Sequence, residues 1–575
     1  MLEQLSWKVG GQQGEGIDST GEIFATALNR NGYYVYGYRH FSSRIKGGHT
    51  NYKIRVSTKP RRANADNLDI LIAFDQETID FNAHELRSGG VIIADEKFKP
   101  VPPSGQDIRF YTVPLTKLAE EAGSAIMKNM VSIGATACIL GLPATTFESL
   151  ISDMFLRKGQ KVVDSNMAAI QKGLDYMKEH GGELADFHLQ PGDGKQRLFM
   201  MGNDAIGLGA LAAGARVMPA YPITPASDVM EYLIKKFPKV GGHVIQTEDE
   251  IAAITMTIGA NFAGVRALTA TSGPGLSLMM EAIGLAGMTE TPVVIIDTQR
   301  GGPSTGMPTK HEQSDMYAVL FGTHGEIAKI VLAPATAEEC FYMTIDAFNY
   351  AEKYQTPVIL ITDLALSLAK QSVEPLDFDK IQIDRGKLAT EEQLAAVEAG
   401  KLFKRYEFTA DNISPRVFPG QKGGIHHVTG VEHIETGRPT EDATVRTKMM
   451  NKRLNKVQGE LPNSLTYTGA ENPELLVVSV GSTIGVVDEA LDRLTQEGKQ
   501  VAHAHLRVIS PFPTETLQKY VDKAKKVLVV ENNATGQLRH LMQFFGVKGT
   551  FHSQLKYDGN PYVPSEIYSH CKELF

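Results

Sequence analysis

Cysteine is scarce in this chain. Only Cys138, Cys340 and Cys571 occur in 575 residues, far apart from one another. An iron–sulfur cluster or cysteine-type zinc site needs a clustered set of thiolates, so neither is built from this chain alone, and the low count suits a reducing cytoplasm. Long apolar runs are also missing: none approaches the ~20 residues of a membrane span. The N-terminus, MLEQLSWKVGGQQGEG, has neither a basic n-region nor a long apolar h-region, so no secretory signal is read. Positive charge is not in excess, and a net charge of −8 gives no reason to expect nucleic acid. Neither a nucleophilic triad nor a His-x-x-x-His metal pair is apparent, so any chemistry here needs a cofactor.

What remains is ordinary globular composition, 42% hydrophobic and 22% charged, in a chain long enough for three or four domains. Residues 1–185 read as one α/β domain. Leu5 to Gly10 is a strand entering the turn Gly10-Gly11-Gln12-Gln13-Gly14-Glu15-Gly16, followed by a helical pattern from Ile17 to Asn29. A Gly/charge-rich linker covers 180–197. From 197 to 370 short strands (Val217–Ala220, His243–Gln246, Ala267–Thr271, Pro292–Asp297) alternate with helical segments (Ala226–Phe237, Asp249–Phe262, Leu276–Met288). Asn203 or Asp204 is expected to cap a further helix. The alternation predicts an α/β fold with parallel sheets and helices on both faces. Residues 371–470 are a long polar connection, in which Arg446, Lys448, Lys452, Arg453 and Lys456 read as a solvated basic face. From 471 to 575 the α/β rhythm returns with strands at Leu475–Ser479, Val501–Leu506 and Val527–Val530.

Chemistry-bearing residues concentrate between Tyr221 and Lys310, at the ends of short strands, where parallel sheets bind ligands. They comprise Tyr221-Pro222-Ile223-Thr224-Pro225, Glu248-Asp249-Glu250, Thr271-Ser272-Gly273-Pro274-Gly275, Arg300, and a loop running from Ser304 to Thr309. Glu250 opens an apolar helix, where the dipole favours a charged carboxylate and burial a neutral one. A surface capping role is equally open to it, and Glu248 and Asp249 compete for the same part. Arg300 offers a two-pronged donor for a carboxylate, and Thr224 and Thr309 offer hydroxyls. One acid, one arginine and two hydroxyls suggest recognition of a small keto acid. In the first domain, Arg39 and the loop Arg44-Ile45-Lys46-Gly47-Gly48-His49 carry cations beside paired glycines; an anion site and plain solvated charge are both open, with the second favoured on residues alone.

These motifs, in this order and spacing, resemble the alpha subunit of 2-oxoacid:ferredoxin oxidoreductases. The turn at Gly10–Gly16 and Ile45-Lys46-Gly47-Gly48-His49 resemble the gamma domain of the same enzymes, fused ahead of alpha. The resemblance covers essentially the whole chain, and the fused form looks closest to 2-oxoglutarate:ferredoxin oxidoreductase. It implies thiamine diphosphate, with this chain supplying the pyrimidine side through Tyr221, Pro222, Ile223 and Gly273. It places the activating glutamate at Glu250, the substrate's head at Thr224, Arg300 and Thr309, and its distal end at Lys46. It implies that 2-oxoglutarate is oxidatively decarboxylated to succinyl-CoA, with coenzyme A taking the acyl group and ferredoxin the electrons. Pyruvate or a branched-chain 2-oxoacid is the alternative substrate, and a non-catalytic assembly or nucleotide-binding subunit the alternative role.

The resemblance further implies that a beta subunit carries Mg²⁺ and a 4Fe–4S cluster, in a dimer of alpha–beta heterodimers. Gly192-Asp193-Gly194 mimics the start of the thiamine diphosphate–Mg²⁺ fingerprint. No Asn pair follows roughly thirty residues on, and the triplet lies in a linker, so it is rejected as a metal site. The chain is therefore expected to be inactive alone.

Overall fold

Segments rich in valine, isoleucine and leucine such as Val293–Gln299, Pro357–Asp363 and Leu475–Val480 are buried along their whole length. Parallel strands covered on both faces require this. The computed structural model describes residues 1–41 and 48–575. The chain falls into two units: Met1–Met200 with Leu368–Pro375 and Val563–Glu566, and Met201–Ser367 with Leu376–Tyr562 and Ile567–Phe575. Among the described residues no helix is long and apolar enough to cross a membrane.

The first unit is built on an eight-stranded mixed sheet. Gln4–Gln12 pairs parallel with Leu68–Ala73 and antiparallel with His49–Ser57. Trp7 on that strand stacks on Phe24 of the helix Ile17–Arg30, 4.5 Å between ring centroids, and donates its indole N–H to Thr136 Oγ1 at 3.2 Å. The helices Lys128–Leu140 and Gln160–Glu179 touch backbone to backbone: a Cβ on Gly134 would lie 1.8 Å from Ile170 O, and one on Gly173 2.0 Å from Val131 O. Lys370–Val373 adds antiparallel to Tyr34–His40, a return of the chain with no local signal.

In the second unit the central sheet runs Leu268–Thr271, Val293–Gln299, Pro357–Asp363, Ile330–Leu332, Val508–Ser510. Its first four strands are parallel and the last antiparallel. Val217–Ala220 and His243–Gln246 pair parallel beside it. Val293 and Ile295 share a core with Ala253 and Ile254 of the helix Glu250–Phe262 and Leu276 and Met279 of the helix Gly273–Met288. That core continues through Val478, Ala504 and Val529 of the C-terminal sheet. There Leu475–Val480 pairs parallel with Val501–Leu506 and Lys526–Glu531.

Two expectations fail. The helix over 202–212 starts at Gly202 with no side-chain cap; Asn203 is buried and instead donates its side-chain amide to Pro225 O at 2.8 Å. The basic run is not a solvated face either. Arg446 and Lys448 are exposed, but Lys452, Arg453 and Lys456 are buried. Lys452 and Lys456 reach the buried Glu290 at 2.6 and 2.7 Å, and Arg453 reaches Glu432 at 2.6 Å. A second buried carboxylate, Glu352, is gripped by Arg266, Arg385 and Arg416 at 2.8, 2.9 and 2.6 Å. The irregular connection is held by these charge clusters in place of regular backbone pairing.

Candidate active site

The motifs of the central stretch all follow the carboxyl ends of strands: Tyr221 after Val217–Ala220, Thr247 after His243–Gln246, Ser272 after Leu268–Thr271, Arg300 after Val293–Gln299. The fold thereby separates the three competing acids. Asp249 is the N-cap, and its carboxylate accepts from Ala252 N at 2.7 Å. Glu248 and Asp249 are exposed. Glu250 is 6% exposed; its carboxylate is bonded to no described residue, and its oxygens are not sealed from solvent.

The next helix shapes the space around that carboxylate. A Cβ at Gly275 would stand 2.1 Å from Thr271 Oγ1 and 2.6 Å from Glu250 Oε1, so only glycine allows the acid to lie over this turn. Two residues earlier, a Cβ on Gly273 would meet the carboxylate of Asp315 at 2.8 and 2.9 Å. Asp315 has no counterpart among the residues singled out from sequence. The signal available was a Ser-Asp pair before the helix Met316–Phe321, which reads as a helix start.

Arg300 is 6% exposed and donates to Thr224 O at 2.6 Å through Nη1 and to Thr305 O at 3.3 Å through Nη2. It thus ties the Thr224 loop to the loop after the strand, and it meets the carbonyl of Thr224, not its hydroxyl. Its Nε is buried and unpartnered among the described residues. Burial holds the guanidinium below its ordinary range, while Asp315 pulls the other way. Thr309 is half-buried in a loop closed by Gly301 N to Lys310 O and Met307 N to Gly301 O, at 3.0 and 2.8 Å.

Three family models match in chain order. Pyruvate ferredoxin/flavodoxin oxidoreductase covers residues 6–176, the thiamine-diphosphate-binding model of pyruvate flavodoxin/ferredoxin oxidoreductase covers 208–452, and pyruvate:ferredoxin oxidoreductase core domain II covers 473–544. A 2-oxoacid:ferredoxin oxidoreductase subunit alpha from Sulfolobus sp is 34% identical over 98% of this chain and 96% of its own length. The chain belongs to the 2-oxoacid:ferredoxin oxidoreductase family. Within that family, the 2-oxoglutarate synthase subunit KorA of Methanocaldococcus jannaschii is 40% identical over 58% of this chain and 88% of that protein. A solved 2-oxoglutarate:ferredoxin oxidoreductase from Magnetococcus marinus, with 2-oxoglutarate, coenzyme A and succinyl-CoA bound, superposes with a TM-score of 0.92 at 36% identity, over 100% of both chains.

The structure of this 2-oxoacid:ferredoxin oxidoreductase chain joins Thr224 to Arg300, and Glu250 to the Thr271–Gly275 turn. Tyr221 is exposed, Pro222 and Ile223 half-buried beside it. Lys46 lies outside the described residues. Arg39 is engaged by Asp18 at 3.9 Å and lies over the Tyr52 ring. Asp193 of the rejected glycine triplet is bound by Arg197 at 2.6 Å. At the C-terminal strand end Glu531-Asn532-Asn533, Glu531 accepts from Leu538 N at 2.7 Å and Asn533 from Gly536 N at 2.8 Å, so both are taken by the helix that follows. A chain from Ser479 through His503 to Asp488, at 2.7 and 2.8 Å, has the spacing of a nucleophile, base and orienting acid. Ser479 is fully buried between strands, so no substrate reaches it.

Proposed function

We propose that this chain is the alpha subunit of an enzyme that oxidatively decarboxylates 2-oxoglutarate to succinyl-CoA and passes the electrons to ferredoxin, jointly with a beta subunit in the cytoplasm. The observation that carries the reading is Glu250. Its side chain is 6% exposed, its carboxylate is bonded to no described residue yet is not sealed from solvent, and it lies at the first turn of a helix and over a turn where any side chain would displace it. This fits the aminopyrimidine of thiamine diphosphate, which would give the carboxylate the hydrogen bond it lacks. Thiamine diphosphate, when bound, supplies the nucleophilic carbon and the electron sink that decarboxylation needs. Glu250 would hold and exchange the proton at the aminopyrimidine, with Tyr221, Pro222, Ile223 and Gly273 around that ring. Arg300, whose two Nη groups each keep an N–H beyond the bonds to Thr224 O and Thr305 O, would meet the substrate's carboxylate, with Thr224 and Thr309 at the keto end and Lys46 toward the distal carboxylate.

The outer face of the Glu250 helix carries Ile251 and Met256, 49% and 40% exposed. An apolar face of that kind beside a half-built site suits a covering chain, and we assign that chain as the beta subunit, in a dimer of heterodimers. The diphosphate, Mg²⁺ and the 4Fe–4S cluster are assigned to it too. Cys138, Cys340 and Cys571 are all buried, and burial pushes the Cys138 and Cys571 thiols up to about 11 and about 12, the opposite of what a ligand requires. A cavity of about 710 Å³ beside Gly14, Gly16, Lys97 and Lys128 suits a phosphate-bearing co-substrate such as coenzyme A.

The test is turnover of the complex assembled with beta. Glu250→Gln is expected to assemble but to lose 2-oxoacid-dependent viologen reduction, and the chain without beta to show none. Near-normal turnover of Glu250→Gln would favour a non-catalytic assembly role.

A further inference from the structure

We propose that Gln313 is a positioning residue for substrate binding: it fills the crevice where the C-terminal sheet would otherwise hold a ligand, and so anchors the loop that carries Thr309. The inference rests on the reading of Thr309 as a group at the substrate's keto end.

In the C-terminal sheet Leu475–Val480 lies between Val501–Leu506 and Lys526–Glu531 and is parallel to both. The chain therefore leaves the middle strand toward one side and later crosses back to the other. That reversal opens a crevice past the carboxyl ends of Leu475–Val480 and Lys526–Glu531, the position at which open parallel sheets bind ligands. Here the crevice holds a piece of the same chain, His311-Glu312-Gln313-Ser314-Asp315, which has no regular secondary structure.

Gln313 is 1% exposed. Its backbone N–H donates to Asn532 O at 2.7 Å and its Oε1 accepts from Asn532 N at 3.2 Å, so backbone and side chain together pair with the strand end as a neighbouring strand would. Its carbonyl accepts from Asn533 Nδ2 at 3.0 Å. Its Nε2 donates to Val480 O at 3.0 Å and to Asp363 Oδ2 at 2.8 Å, at the end of the central-sheet strand Pro357–Asp363. One glutamine thus bridges the carboxyl ends of three strands in two sheets. Gly481, at φ +64°, makes room for it: a Cβ there would lie 2.8 Å from Gln313 Nε2 and 2.7 Å from Asp363 Oδ2. A buried glutamine with every donor and acceptor in use is costly to move.

The anchorage reaches the substrate loop directly. His311 N donates to Gly559 O at 3.1 Å, and Gly559 packs on that loop, where a Cβ would meet Lys310 Cβ at 3.0 Å and Met307 Cε at 3.1 Å. Lys310, next to Thr309, is held through both backbone groups, its N–H donating to Met307 O and its carbonyl accepting from Gly301 N, each at 3.0 Å. Beyond Gln313, Ser314 O accepts from Gln537 Nε2 at 2.8 Å and Gln299 Oε1 accepts the Asp315 N–H at 3.0 Å. Residues 301–310 run between Arg300 at the strand end and this anchor, so the place of the Thr309 hydroxyl depends on how firmly Gln313 sits.

The experiment uses the complex assembled with beta. Gln313→Met keeps the length of the side chain and removes its amide. The KM for 2-oxoglutarate should rise about tenfold, the effect of one misaligned hydrogen bond to the substrate, with the KM for coenzyme A unchanged. Hydrogen exchange in residues 301–310 should quicken. In a Thr309→Ala background the same substitution should add no further rise, because a residue acting through Thr309 is not additive with it. Gly481→Ala pushes on the same amide from the C-terminal sheet and should reproduce the faster exchange and the raised KM. Unchanged exchange in both variants, or a KM increment that persists in the Thr309→Ala background, overturns the proposal. So does a KM unmoved in both variants while Thr309→Ala raises it. If Thr309→Ala leaves KM unaltered while Gln313→Met quickens exchange, the reading of Thr309 fails and the anchor stands. Should neither variant assemble, residues 301–310 of the wild type must exchange as slowly as 311–315; rapid exchange of the loop beside a protected anchor overturns the proposal.

Discussion

Gly275→Ala adds one methyl group directly against the Glu250 side chain. The new Cβ would lie 2.1 Å from Thr271 Oγ1 and 2.6 Å from Glu250 Oε1. Real Cβ atoms essentially never approach within 3.0 Å, so the threonine oxygen must retreat by roughly 0.9 Å and the glutamate oxygen by roughly 0.4 Å. Threonine is β-branched, stiff at χ1 and fully buried here, so most of the movement falls on the Glu250 side chain and on the turn itself. Overpacking of this kind costs ~1–3 kcal/mol of stability. Misplacing a catalytic group by ~1 Å costs ~10²-fold in rate, so a shift of this size predicts a loss on the order of tenfold to a hundredfold in kcat. The assay is viologen reduction by the assembled complex at saturating 2-oxoglutarate and coenzyme A, with a thermal melt of the chain beside it. Gly284→Ala on the same helix is the control: a Cβ there meets nothing within 4 Å, so the isolated chain should gain ~0.5–1 kcal/mol of helix stability. Wild-type turnover in Gly275→Ala would refute the claim that this turn sets the position of Glu250.

Further outcomes follow from the buried charges and from the substrate reading. Glu352→Ala leaves Arg266, Arg385 and Arg416 without their shared buried partner and should cost ~3–5 kcal/mol, read from the shift in denaturant midpoint; a cost below ~1 kcal/mol contradicts the clamp. Burial opposes ionisation of Glu85, but Lys8 and Lys53 outweigh it and hold its carboxyl at about 2. Lys8 is itself lowered to about 8, because its own burial outweighs Glu85, so the acid limb is the one to follow. A carboxyl depressed on folding stabilises above its ordinary value of 4.5, and that stability is lost as pH falls toward 2. Glu85→Gln should therefore show a shallower loss of stability across that window, and an unchanged acid limb would remove Glu85 from the account. For substrate choice, kcat/KM for 2-oxoglutarate should exceed that for pyruvate by at least ~tenfold; equal values would move the reading to a broad 2-oxoacid enzyme.

Much of the central fold was legible because its signals are local. The strand at His243–Gln246 and the helix after Asp249 came from periodicity and capping chemistry, and both stand where expected. Other features were illegible because their partners are far away in the chain. Lys452 and Lys456 are four residues apart in sequence, the spacing of an exposed basic stripe, yet Lys452 on the helix Ala443–Leu454 and Lys456 just past its end both turn inward to Glu290, 162 and 166 positions earlier. Lys370–Val373 has little of a strand's composition, and forms one because Tyr34–His40 leaves an open edge for it.

The sequence by itself determined where strands give way to turns, that its three cysteines lie far apart along the chain, and that an acid, an arginine and a glycine turn share one stretch. Only the tertiary structure decided which acid is buried. Glu248, Asp249 and Glu250 are chemically near-equivalent in a line of text. Folding spends Asp249 on a helix cap, leaves Glu248 in solvent, and buries Glu250 against Gly275, where a side chain would push it away. Burial and partnership are properties of neighbours, and the neighbours of Glu250 come from a different strand and helix.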